Sequence, residues 1–238
     1  MYWSIMLGLH SLEPSKIRGK TTSRVSSSEL IGLANSVQEA RSLMDTNFFG
    51  PFNLIQTVIP RMRDRKSGTI VNISSAAAFD PRPAMGMYGA SKSALEGMSQ
   101  GLAKEVAPFG IRVLIVQPGA FTTNILNTIP LTKKPLSVGY KDTEVGKLVG
   151  LFDGPPGKRS FAAENDVEKG CQAIFEVVTG TGRGEGKEKY LRLPLGKDCA
   201  VRTIEHVERL REGYDVFKEI WESTGHDGGV SKTFTSNT

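Results

Sequence analysis

GTIVNISSAAAFDPRPAMGMYGASK, Gly68 to Lys92, decides how the chain folds. It opens as a short apolar strand, Thr69 to Ser74, rich in β-branched residues. It closes as the start of a helix carrying Tyr88 and Lys92. Spaced i, i+4, those two side chains share one helix face. A protonated lysine beside a phenol favours the phenolate, so the Tyr88 pKa is expected to fall from about 10 towards neutrality. Ser75, at the carboxyl end of the strand, is placed to hold a substrate oxygen against the tyrosine. Together they suit proton exchange with an alcohol or carbonyl.

A tyrosine and a lysine four residues apart occur on many solvated helices, so the pair alone carries little. Its context carries more. The matches are GTIVNISS, a thirteen-residue step from Ser75 to Tyr88, and YGASK. On these the stretch resembles the short-chain dehydrogenase/reductase family. The resemblance implies an α/β fold with a doubly wound, Rossmann-like parallel sheet. It also implies hydride exchange between NADP or NAD and a carbonyl or secondary alcohol. In that scheme Tyr88 is the general acid/base. Lys92 lowers its pKa and, with Tyr88, contacts the cofactor ribose. Ser75 orients the substrate oxygen, and the cofactor carries the hydride chemistry.

Upstream, SVQEARSLMDTNFFGPFNLIQTVIPRMRDR, residues 36–65, reads as one helix. Ser36 and Glu39 form a capping box, and Leu43, Met44, Phe48, Phe52, Ile55, Val58, Ile59 and Met62 recur at helical spacing. Pro51 interrupts it, because its absent N–H would have bonded the carbonyl of Asn47. Local sequence leaves Asn47 as an incidental residue of a kinked core helix. The resemblance makes it the fourth member of the catalytic set, supporting a water-borne proton relay.

Downstream, the helix from Met87 to Ala107 carries small residues Gly89, Ala90, Ser91, Ala94 and Gly97, which allow close helix approach. The resemblance implies that this helix and the preceding one pair with their copies, giving a homodimer or homotetramer. IRVLIV, Ile111 to Val116, is nearly continuous apolar, as a buried parallel strand is. QPGAFTTN follows at its carboxyl end, where open α/β sheets bind ligands. By resemblance Pro118, Gly119 and Thr123 border the nicotinamide. Phe79, Met85, Phe121 and Ile125, with Ser75, are expected to line an apolar substrate pocket.

Residues 124–164 read as an irregular loop with one short helix, and the resemblance sets this segment over the substrate. Asn165 or Asp166 caps a helix to about Thr179, and Lys189 to Leu195 reads as a strand. Asp198 caps a final amphipathic helix through Trp221, with Val201, Ile204, Val207, Tyr214, Phe217 and Ile220 inward and Gly213 as a break. The glycine-rich run 180–186 lacks a preceding strand and a following apolar helix, so it reads as a surface loop.

The chain has 238 residues, enough for one domain with a full core, and a net charge of +5. Its basic residues are scattered without aromatic interleaving, which argues against nucleic-acid binding. Two distant cysteines, Cys171 and Cys199, give neither a metal spacing nor a disulfide framework, so no metal and a reducing, cytoplasmic setting are expected. The apolar opening MYWSIMLGL is too short to span a bilayer. Residues 1–35 read as an irregular or non-family segment, and within it the Ser-, Thr- and basic-rich residues 15–35 read as a loose or disordered loop, with an organelle-targeting segment as the alternative. Residues 36–222 read as a partial Rossmann-like catalytic domain, truncated in its N-terminal half, and 223–238 as a disordered tail. The Gly-rich strand–turn–helix that receives a cofactor pyrophosphate in the family has no counterpart in residues 1–35. The region that selects NADP or NAD is missing too, so both stay open. The rival reading is a catalytically impaired remnant that keeps a binding surface and binds no dinucleotide. A further alternative is that the chain's start reflects an incorrect gene model or alternative transcript.

Overall fold

The computed structural model describes residues 6–7, 37–123, 138–150 and 163–225. At its centre are two strands, β2 (Gly68–Ile73) and β3 (Ile111–Pro118), paired in parallel with Gly68 opposite Ile111 and Ile73 opposite Val116. A third parallel strand, β4 (Arg192–Leu195), follows on the far side of β3. It is an edge strand, which is where Pro194 can sit without breaking a ladder. On the opposite edge β1 (Met6–Leu7) pairs antiparallel with β2. The parallel strands are spatial neighbours in chain order. A doubly wound sheet of order 3-2-1-4-5-6 has that pattern in its second half. Among the described residues the parallel part of the sheet has three strands.

Helices cover both faces. On one lie α2 (Gly50–Asp64) and α3 (Gly86–Val106), where Ile55, Met62, Leu102 and Val106 pack on Ile70, Ile111 and Val113. On the other lies α5 (Val167–Thr179), whose Val177 packs with Val71, Leu114, Val116 and Leu195. Neighbouring residues of one strand thus feed two separate cores. This explains why IRVLIV carries no alternation: a strand buried on both faces has no polar side. Between β3 and α5 stands the short α4 (Glu144–Gly150). Residues 124–137, a large part of the segment expected over the substrate and Ile125 with it, lie outside the described residues.

The helix expected over 36–65 is two. α1 (Val37–Met44) runs into a π turn, Asp45–Phe49, where the Gly50 N–H reaches back to the Asp45 carbonyl, and α2 begins there with Pro51 in its first turn. In a regular α-helix the Pro51 ring would clash with the carbonyl of Asn47, and widening the turn relieves that clash. Ser36, the expected cap, lies outside the described residues.

The C-terminal region departs most from expectation. Asp166, not Asn165, caps α5, accepting from the Lys169 N–H at 2.9 Å. The last strand is shorter than Lys189–Leu195. The final helix, α6, spans Lys197–Val216 with Gly196 at the N-cap (φ 94°), so Asp198 is not the cap. The chain passes through Gly213 as helix and breaks at Phe217 instead, before α7 (Lys218–Glu222). Val201, Ile204, Val207, Tyr214, Phe217 and Ile220, expected inward, are 44–69% exposed. The inward side of α6 carries the buried Cys199 and polar contacts to the turn after β2. Arg202 and Arg209 pair with Asp80 at 2.9 and 3.0 Å, and the His206 ring lies 5.5 Å from that of Phe79. The polar side of α6 therefore faces the turn after β2, and the apolar side is left outward. No helix among the described residues is long and apolar enough to cross a membrane.

Candidate active site

The carboxyl ends of β2 and β3 lie side by side, and the expected site residues gather there. Leaving β2, the chain turns into a single 3-10 turn, Ala76–Ala78, which Ser75 caps by accepting the Ala77 N–H at 3.2 Å. That turn rests directly on α3. At Gly89 there is no room for a side chain: a Cβ would fall 2.6 Å from the Ala77 carbonyl oxygen and 2.8 Å from Pro81 Cβ. The small residue reads in the sequence as a means for two helices to approach. Its use here is to let the Ser75 turn lie one residue from Tyr88. Ser93 Oγ reinforces the contact by donating to the Ala78 carbonyl.

Lys92 and Tyr88 share a face of α3, with Lys92 Nζ 5.9 Å from the Tyr88 ring centroid. The same ammonium donates to the Ile73 carbonyl at 3.0 Å, which fixes it at the end of β2. Asn47, within the π turn, donates from Nδ2 to Ser91 Oγ at 3.0 Å, and Ser91 Oγ donates to the Tyr88 carbonyl at 2.7 Å. Ser91 is fully buried. Asn47 is thereby tied to the backbone of the tyrosine it was expected to serve. No cluster of possible metal-ligating side chains occurs among the described residues.

At the end of β3 the turn Pro118–Gly119–Ala120 is held by residues that sequence reasoning did not assign to it. The Gly119 N–H donates to the Leu195 carbonyl at 2.8 Å, and the Ala120 N–H donates to Asp198 Oδ2 at 2.8 Å. Asn165 Nδ2 donates to both Asp198 Oδ1, at 2.7 Å, and the Ala120 carbonyl, at 2.6 Å. A Cβ on residue 119 would sit 2.2 Å from Asp198 Oδ1, so glycine is required for this clamp. The true role of Asp198 follows: it fixes the turn after β3 and leaves the helix cap to Gly196. No local signal in the sequence marks a contact across 78 residues.

The expected pocket residues are dispersed. Phe79 is half-buried against His206, and its neighbour Asp80 has its carboxyl held below the usual range, chiefly by the Arg202 hydrogen bond. Met85 stands at the N-cap of α3. Phe121 bridges to Asn165 and packs its ring on Gly170, within the α5 cluster. Thr123 is exposed at the end of the described segment. Beneath the site lies a buried polar layer, Asn72, Ser74, Glu96, Ser99 and Gln117, that went unrecognised in the sequence. Its signal was there: Glu96 and Ser99 follow Lys92 at i+4 and i+7, on the inward face of α3.

Three parallel strands in chain order among the described residues, with helices on both faces, make this a Rossmann-like α/β fold. Comparison with known proteins places it further. The short chain dehydrogenase family matches residues 31–134. The crystal structure of a short-chain dehydrogenase from Streptomyces avermitilis is similar with a TM-score of 0.67 and 31% sequence identity, over 82% of this chain and 67% of that one. The chain belongs to the short-chain dehydrogenase/reductase family. It is 48% identical over 95 residues to oxidoreductase claN of Passalora fulva, which is 40% of this chain and 44% of that protein. It is 37% identical over 168 residues to the uncharacterized oxidoreductase YusZ of Bacillus subtilis, 68% of this chain and 55% of that one. The chain thus spans about half the length of these curated relatives.

The Gly89 contact generates a prediction. Gly89→Ala overpacks the Ala77 carbonyl, a cost of about 1–3 kcal/mol, and exceeds the roughly 1 kcal/mol that alanine gains over glycine in a helix. Gly101, on the same helix, has nothing within 4 Å of where a Cβ would stand, so Gly101→Ala keeps the helix gain alone. Equilibrium denaturation should show Gly89→Ala less stable than the unmodified chain and Gly101→Ala more stable. Equal stability of the two variants would refute the close approach.

Proposed function

We propose that the chain carries the catalytic half of an NADP- or NAD-dependent oxidoreductase acting on a carbonyl or secondary alcohol. One observation carries the reading: Lys92, held by the Ile73 carbonyl, stands 5.9 Å from the Tyr88 ring on the face of α3 beside the Ser75 turn. Tyr88 gives or takes the proton at the substrate oxygen. Lys92 favours its phenolate and holds the cofactor ribose. Ser75 Oγ holds the substrate oxygen. Asn47 supports the relay that returns the proton to solvent, and its link through Ser91 to the Tyr88 backbone supports that placement.

The described residues suit the nicotinamide end of a dinucleotide. Pro118, Gly119 and Thr123 would border the ring, on a turn that Asp198 and Asn165 hold in one shape. When bound, the nicotinamide supplies or accepts the hydride. Substrate contacts are proposed for Ser75, Phe79, Met85, Phe121 and Ile125. The outward residues of α3, with Ala90 and Gly97 exposed and Gly97 open to close approach, support a homodimer or homotetramer. We place the chain in the cytoplasm, without nucleic-acid or membrane partners, as domain 36–222 flanked by 1–35 and 223–238.

A second reading, a binding partner or impaired remnant that holds no dinucleotide, is favoured by β1. Its antiparallel pairing occupies the edge of β2 across which the first half of a doubly wound sheet would continue. The sequence of residues 1–35 carries no TGxxxGxG run of the kind that cradles a pyrophosphate, and the described residues hold no glycine-rich strand–turn–helix.

Three outcomes are expected. In steady-state assays at millimolar cofactor, Tyr88→Phe abolishes turnover, and near-normal rates in that variant would remove the proton-transfer role. Calorimetric titration of the chain with NADPH and NADH shows binding weaker than micromolar, since each ~1.4 kcal/mol of lost phosphate contact is tenfold in affinity. A micromolar constant for either would end the remnant reading. Light scattering at several concentrations gives a dimeric or tetrameric mass, and a monomeric mass throughout would count against the α2–α3 interface.

A further inference from the structure

Under the carboxyl ends of β2 and β3, beside the start of β4, lies a carboxylate that the scheme above does not use. Glu96, on α3, is 5% exposed. Its Oε1 accepts from Ser74 Oγ at 2.6 Å and from Gln117 Nε2 at 2.9 Å. Its Oε2 accepts from the same Gln117 nitrogen at 3.0 Å and from Arg192 Nε at 3.2 Å. A buried carboxylate is tolerated when it is paired and its lone pairs are filled, and charge-assisted bonds of this kind are short and strong. The donors come from the residue that follows β2, from β3 and from β4, one from each. Sheet register explains the convergence. Asn72 stands opposite Ile115, which stands opposite Arg192, and Ser74 and Gln117 follow two residues later on that same face. Ser99, a turn beyond Glu96, meets the first row by accepting from Asn72 at 2.8 Å.

The identity of the donors matters more than their number. Ser74 immediately precedes Ser75, and Gln117 immediately precedes Pro118. Ser74 also donates its backbone N–H to the Val116 carbonyl at 2.7 Å, so it is fixed at both ends. The helix that carries Glu96 carries Tyr88 and Lys92 as well. We propose that Glu96 is a positioning residue: a single carboxylate sets the spacing between the Tyr88–Lys92 helix, the Ser75 turn and the Pro118–Gly119 turn. An apolar side chain of equal size would fill the volume but could not hold two strand ends in register with one helix. The proposal rests on the hydride-transfer reading for its effect on rate, and on geometry alone for its effect on the two turns.

The test uses the full chain, Glu96→Gln, and the double variant Glu96→Gln with Gln117→Glu. The amide at 96 turns one acceptor into a donor facing other donors. The double variant restores one carboxylate and one amide between the same two elements. Hydrogen exchange read by segment should accelerate about tenfold or more over residues 74–78 and 117–120 in Glu96→Gln, but not over 102–106. The melting temperature should move by less than about 3 °C. The double variant should return exchange towards that of the unmodified chain, a rescue that mere loss of packing does not allow. With turnover present, kcat falls on the order of tenfold to a hundredfold in Glu96→Gln while KM changes little. Unchanged exchange over 74–78, equal acceleration over 102–106, or failure of the double variant to recover would each overturn the assignment. Absence of turnover in the unmodified chain would count against hydride transfer, and the exchange comparison would still decide the role of Glu96.

Discussion

The nearness of the Ala76–Ala78 turn to α3 constrains everything at the carboxyl edge of the sheet. A backbone carbonyl and a helix meet there at a distance that excludes even one methyl group. Because that contact falls between Tyr88 and Ser93, the turn that presents Ser75 cannot move without moving the helix that presents the tyrosine. The lysine is fixed by the same edge, through the Ile73 carbonyl. Ser75, Tyr88 and Lys92 are therefore parts of one closely packed corner. Such close placement is what acid–base chemistry at a substrate oxygen requires.

Around that corner the chain uses polar groups where a simpler core would use apolar ones. Asn72, Ser74, Glu96, Ser99 and Gln117 are all buried, and most of their polar atoms find partners among themselves. Apolar contacts are non-directional and hold layers together. Hydrogen bonds of fixed length hold particular residues opposite one another. The division of labour is spatial: Ile55, Met62, Leu102 and Val106 pack the amino-terminal end of the sheet, and the polar set lies towards the carboxyl ends of β2 and β3. On the other side of β3, the Asp198–Asn165 pair fixes the turn after it.

What could be read in the sequence was local. A run of β-branched residues, a serine at its end and a Tyr–Lys pair one helical turn apart lie within one stretch, and periodicity places each of them. Pro51 was legible as an interruption, though whether it kinks, ends or widens a helix depends on the carbonyl it would strike. The contacts that were missed join residues far apart in the chain: Arg202 to Asp80 across 122 positions and Arg192 to Glu96 across 96. Periodicity showed that residues 201–220 have an apolar side. It could not show that two arginines on the other side would find an aspartate. Asp198 was misjudged for a related reason: an aspartate near a helix start is a sound cap by local rules, and a tertiary donor took it instead.

The outward apolar side of α6 has a consequence for how the chain responds to salt. Part of the contact that docks the helix is charged, through Asp80 with Arg202 and Arg209, all of them partly open to water. Mobile ions screen such pairs over a Debye length of about 8–10 Å at moderate ionic strength. Strongly hydrated salts act on apolar surface in the opposite sense, driving it out of water. Added sulfate or phosphate therefore acts on the two faces of α6 in opposite senses: it screens the ion pairs of the inner face and disfavours exposure of the apolar outer face.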